Sequence, residues 1–135
     1  MLVLRTSVQP ARAQTPAQQP PDHPAVVGNV PTIEKSVKQL GFKFSDVKIL
    51  LGNHAHADHQ EGDALLKRMT GAQVMAMSED APAPRAIKPG GNDHPIGRVL
   101  HDGDSVTLGG TTLVAHLTPG HTHGCTTWTT KAREG

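Results

Sequence analysis

The stretch Gly52-Asn53-His54-Ala55-His56-Ala57-Asp58-His59 decides how this chain is read. Positions 54–59 supply three imidazoles and one carboxylate, separated by two alanines. Zinc takes His nitrogen and Asp oxygen in roughly tetrahedral geometry, and its catalytic sites keep one position open for water. On an extended segment alternate side chains point the same way. His54 and His56 are therefore placed to reach one ion, and Asp58 continues the alternation. His59 points elsewhere unless the backbone turns, which Gly62 permits. The spacing suggests two adjacent ions, the first on His54 and His56, the second on Asp58 and His59. Two ions roughly 3.5–4 Å apart can share one nucleophile and clamp both ends of a displacement. Each ion still needs a third protein ligand.

A second cluster, Thr118-Pro119-Gly120-His121-Thr122-His123, lies about 60 residues further on. His121 is the candidate third ligand of the first ion. His123, two residues later, is a second candidate for lining the site. His23, His94, His101 and His116 stand singly and read as ordinary surface or core histidines. Cys125 is the single cysteine, which excludes an internal disulfide. It reads as a small packed residue; its position four after His121 leaves metal contact as the alternative.

The segments around the motif read as alternating helix and strand. Residues 32–40 carry Ile33, Val37 and Leu40 at helical spacing, with Gly41 where a helix stops. The apolar run 47–51 is expected as a buried strand that delivers the chain into the histidine loop. Residues 61–70 form an expected second helix through Leu65, Leu66 and Met69, closed by Gly71, and 73–77 a second buried strand. This order implies a partly parallel sheet with helices on it. Residues 81–97 are a Pro/Gly-rich loop. Residues 105–108 and 111–117 flank Gly109-Gly110 as a hairpin, and 126–130 form a further short strand around Trp128. Ligands would then sit on loops at strand ends, where a rigid scaffold normally carries function.

Composition bounds the rest. At 135 residues the chain holds at most one domain. Thirteen basic against 12 acidic residues give +1, with no basic stripe, and only Phe42, Phe44 and Trp128 are aromatic. Nucleic-acid binding gains neither charge nor stacking surface from this. No run is long enough for a transmembrane helix, so no membrane partner is expected. The core is modest, at 36% hydrophobic residues. Residues 1–25, rich in Pro, Gln and Ala, are expected to be disordered, with 26–135 as the domain. Ala11-Arg12-Ala13 resembles a secretory cleavage site, but the apolar run 1–4 before it is too short for a working signal. It reads as the remnant of one, or as nothing.

Four stretches resemble the metallo-β-lactamase superfamily over about residues 28–130. They are Gly52 to His59 as quoted; Thr70-Gly71-Ala72; His101-Asp102-Gly103-Asp104-Ser105-Val106-Thr107-Leu108-Gly109-Gly110-Thr111-Thr112-Leu113; and His116-Leu117-Thr118-Pro119-Gly120-His121-Thr122-His123-Gly124-Cys125-Thr126-Thr127-Trp128. The last two are most similar to class B zinc β-lactamases of the third subclass. The resemblance implies an α/β fold, part of an αββα sandwich (about one half), with a mixed sheet and helices on one face. It implies His54, His56 and His121 as ligands of a first Zn2+, and Asp58 and His59 as two of three ligands of a second. The third, a His in the family's C-terminal half, has no counterpart here, so the second site is expected to be incomplete. The family's first strands also lack a counterpart, so the sandwich is expected to be trimmed at its front edge.

The implied reaction is hydrolysis of a β-lactam amide by metal-bound hydroxide. Asp58 orients the hydroxide as the catalytic carboxylate, the substrate is a small-molecule β-lactam, and the location is periplasmic or secreted. Activity of the chain as it stands is expected to be impaired. The inner face of its sheet, including Ile49, Leu51, Val74 and Val114, is expected to lack a cover. Other hydrolases of the superfamily, thioesterases or lactonases, and an inactive zinc-binding fragment are the alternatives.

Overall fold

The computed structural model describes residues 2–4, 27–82 and 94–132. Two sheets carry the site. The first has the order β1 (Leu2–Leu4), β2 (Val47–Leu51), β3 (Gln73–Met77), β4 (Ile96–Leu100). The second has the order β5 (Ser105–Leu108), β6 (Thr111–Leu117), β7 (Thr126–Thr129). In the first sheet β1 runs antiparallel to β2, while β2, β3 and β4 are mutually parallel, so the sheet is mixed. The second sheet is antiparallel throughout.

Helix α1 (Val30–Gln39) carries Pro31 in its first turn, where a missing N–H costs nothing. Its buried stripe is Val30, half-buried Ile33 and Val37. Leu40, expected in that stripe, caps the helix and is 60% exposed, so the helix starts two residues earlier and ends one residue earlier than its spacing suggested. The expected helix over 61–70 starts two residues later, preceded by a single turn α2 (Ala57–Gln60) inside the histidine motif and running as α3 (Asp63–Thr70). Val30, Val37, Phe44, Val47, Leu50, Leu66, Ala72 and Val74 form one core between these helices and one face of the first sheet. A fully buried Val or Leu contributes about 1.5–3 kcal/mol relative to exposure.

The opposite face of that sheet is covered, against expectation. Ile49, Leu51, Met75 and Leu100 pack with Val106, Leu108, Leu113 and Trp128 of the second sheet. Ile49 and Leu51 are 6% and 2% exposed. Val74 lies on the helix side and is equally buried, and Val114 is half-buried on the outer face of the second sheet. The hairpin supplies this cover. Gly109 and Gly110 at φ 60° and 84° make the two-residue turn whose twist suits antiparallel strands, and few other residues adopt that pair of angles.

Two further expectations change. The expected 81–97 loop runs into β4, which starts at Ile96; of that loop, 83–93 lie outside the described residues. Leu2–Leu4, read as part of a disordered leader, pairs its backbone with β2, Leu2 opposite Leu50. Residues 5–26, including His23 and the cleavage-like triplet, lie outside the described residues.

Candidate metal centre

Strands β2 and β3 are parallel, so their carboxyl ends lie at the same edge of the sheet, where open α/β sheets bind ligands. The histidine motif leaves the end of β2. His56 keeps extended backbone angles, φ −82° and ψ 145°, and caps the turn α2. The His59 N–H donates to His56 O at 3.0 Å and the Glu61 N–H to Ala57 O at 2.8 Å. Extended alternation therefore stops at His56. Asp58, expected to continue it, is helical instead, and the turn swings His59 back until its ring centroid lies 4.2 Å from that of His54. Gln60, 3% exposed, donates its side-chain N–H to His54 O at 2.9 Å and fixes the loop from below.

His121 arrives from the other sheet. Leu117 opposite Thr126 closes the loop 118–125 between β6 and β7. The Thr118 N–H donates to Cys125 O at 2.7 Å and the Gly120 N–H to Thr122 O at 3.0 Å. The Cys125 Sγ accepts from the Thr122 N–H at 3.2 Å, so the thiol shapes this loop. The Thr126 N–H donates to Asn53 O at 2.8 Å, pinning the second sheet to the histidine loop of the first.

The three expected first-ion ligands meet. One ligand atom from each of His54, His56 and His121 lies within 4.8 Å of the others, the one such group of His, Cys, Asp and Glu among the described residues. Ring centroids are 5.0 Å apart for His54 and His56, 4.8 Å for His54 and His121, and 4.4 Å for His56 and His121. Nitrogens about 2.0–2.1 Å from one tetrahedral zinc stand roughly 3.3 Å apart, a closure that small rotations of imidazoles provide. The donor set, all nitrogen with His56 and His121 exposed, fits a zinc site open on one side.

His59 and Asp58 flank the trio, His59 Nε2 3.7 Å from Asp58 Oδ2. His123 is exposed and Cys125 half-buried, and both lie outside the trio. Of the single histidines, His94 is buried beside Asp63, His101 is exposed, and His116 shares a hydrogen bond with Thr129 Oγ1 on the outer sheet face.

Burial first, then the rings of His59, His121 and His56, hold His54 below its ordinary pKa of 6.5, while Asp58 pulls it the other way. A metal ligand must be the neutral imidazole, so His54 is biased toward the form that ligates.

Asp80 was not singled out from sequence. It follows β3, is 5% exposed, and accepts from the Ala55 N–H at 3.0 Å, the Thr122 hydroxyl at 2.6 Å and the Gly124 N–H at 2.7 Å. Its one sequence signal is a carboxylate just beyond the carboxyl end of a buried strand, which says nothing of the donors it meets.

A model of the metallo-beta-lactamase superfamily matches residues 21–133. The chain belongs to the metallo-β-lactamase superfamily. Among solved structures it is similar to the native FEZ-1 metallo-β-lactamase from Legionella gormanii, at 47% identity and TM-score 0.73 over 80% of this chain and 45% of that one. It is similar to BJP-1, a subclass B3 metallo-β-lactamase of Bradyrhizobium japonicum, at 39% identity and TM-score 0.72 over 82% of this chain and 46% of that one. It also resembles the class B3 di-zinc metallo-β-lactamase LRA-12 from an Alaskan soil metagenome, at 33% identity and TM-score 0.73, with 82% and 46% covered. The chain thus spans less than half the length of each of these relatives.

Proposed function

We propose that this chain carries the metal centre of a zinc-dependent hydrolase that opens β-lactam antibiotics. The observation that carries the reading is the convergence of His54, His56 and His121 from two sheets. The 47% identity to a named β-lactamase supports the substrate class. His54, His56 and His121 hold a first zinc, and Asp58 and His59 contribute to a second. When bound, zinc supplies a Lewis acid for the lactam carbonyl and makes water a nucleophile near neutral pH. Asp58, exposed beside His59, orients the attacking water and accepts its proton on a carboxylate oxygen. The exposed rings of His56 and His121 leave the site open to a bulky bicyclic substrate. Periplasmic or secreted location and a role in antibiotic resistance follow from the same likeness.

The length relation favours a second reading alongside it. The chain covers 45% of the FEZ-1 enzyme and offers Asp58 and His59 as the second ion's ligands, so weak second-ion binding and slow turnover are expected of it alone. The test is nitrocefin hydrolysis by the purified chain with zinc, beside a thioester and a lactone. Slow, zinc-dependent nitrocefin cleavage supports the first reading. Zinc binding without any cleavage supports the second. Cleavage of the thioester or lactone alone overturns the β-lactam assignment, and failure to bind zinc overturns the metal centre.

A further inference from the structure

We propose that Asp80 is a positioning residue for the metal centre, its buried carboxylate joining the loop of His54 and His56 to the loop of His121 and setting the spacing of the three imidazoles. The inference rests on reading the trio as a metal site. A buried carboxylate is costly unless its oxygens are paired. Asp80 is paired with groups on the two loops that carry the ligands. Ala55, whose N–H it receives, lies between His54 and His56; Thr122 follows His121; Gly124 is three beyond it. Bonds to an ionised acceptor are shorter and stronger than neutral ones, and two of these are 2.6 and 2.7 Å.

The carboxylate is held from a third element. The N–H groups of Asp80 and Ala81 donate to Met77 O at 3.1 and 2.9 Å, and the Ser78 N–H donates to Leu100 O at 2.8 Å. Asp80 therefore stands on the end of β3 and draws both ligand loops to one fixed point. Gly124 permits this approach, since a Cβ there would lie 2.5 Å from the Cβ, Cγ and backbone nitrogen of Asp80. The other two elements meet again at the Thr126 to Asn53 bond, but that bond is backbone to backbone and leaves the loop tips free to separate.

Two variants perturb this tie without touching a ligand. Asp80→Asn keeps the volume but turns one acceptor oxygen into a donor, which must face either the Gly124 N–H or the Ala55 N–H and Thr122 hydroxyl. Gly124→Ala pushes the His121 loop away and leaves the carboxylate intact. The first readout needs no metal: cross-relaxation between the ring protons of His56 and His121, whose centroids are 4.4 Å apart, in the metal-free full chain. The second is zinc affinity by chelator competition. The expectation is loss of the ring-to-ring signal and about 10-fold weaker zinc in both variants, the lower end of what removing a ligand-orienting group costs. In a His121→Ala background Asp80→Asn should cost less, because one of the two loops it ties no longer carries a ligand.

A folded variant of either kind that keeps the ring-to-ring signal and the zinc affinity overturns the proposal. So does an Asp80→Asn loss that persists undiminished beside His121→Ala, which marks general destabilisation. If Asp80→Asn fails to fold, Gly124→Ala decides by the same two readouts. If the unmodified chain binds no zinc, the metal-centre reading fails, while the ring-to-ring signal still decides whether Asp80 ties the loops.

Discussion

Truncating His121 to alanine separates the metal reading from a chance cluster of histidines. His121 is exposed on the 118–125 loop, and an exposed side chain away from special features changes stability by no more than about 0.5 kcal/mol. The fold should therefore survive, with far-ultraviolet circular dichroism unchanged. The metal should not. Structural zinc sites in peptides bind with about 10–16 kcal/mol, so an even share for one ligand of four is roughly 2.5–4 kcal/mol. At about 1.4 kcal/mol per factor of ten, that is a loss of roughly 2–3 orders of magnitude in zinc affinity. The assay is competition with a chromophoric chelator, at a pH above the ordinary His value of 6.5 so that protons compete little. His123→Ala is the matched control. It is exposed on the same loop, two residues away, and outside the converging trio. If His121→Ala binds zinc as the unmodified chain does, or if His123→Ala weakens it equally, the trio is not the metal site.

Two more outcomes follow from the structure. Leu100→Ala should lower stability by about 2–5 kcal/mol in urea unfolding, because Leu100 is 0% exposed between the two sheets, whereas Leu40→Ala at 60% exposure should shift it by no more than about 0.5 kcal/mol; equal shifts would mean the second sheet does not cover the first. Metal-free stability should fall as pH drops below 6.5, since His54 has a lowered pKa in the folded chain and the unfolded chain therefore takes up its proton first; a His54→Gln chain should lose less over the same interval, and an identical pH profile for both would refute this.

The candidate ligands were legible in the sequence because metal chemistry restricts residue type so severely. Three imidazoles and a carboxylate within 54–59, and a further imidazole after Pro119-Gly120, admit few other readings. Local patterns also carried α1, β2, β3 and the Gly109-Gly110 hairpin, since their spacing and turn residues are properties of short segments. What failed locally depended on neighbours. The alternation through Asp58 gave way to the turn α2, whose backbone bonds bring His59 against His54. Strand β4 was hidden because Ile96-Gly97-Arg98-Val99-Leu100 has little strand pattern; parallel pairing with β3 makes it a strand.

Residue types alone therefore determined which groups could hold a metal and which segments could be helix or strand. Tertiary structure decided that the second sheet would cover Ile49, Leu51 and Met75, a matter of which surfaces meet. It also decided the role of Asp80. A carboxylate has no meaning along the chain until its partners are known, and Ala55, Thr122 and Gly124 lie 25, 42 and 44 positions away. Only packing the second sheet over a face of the first brings those donors to one pair of oxygens.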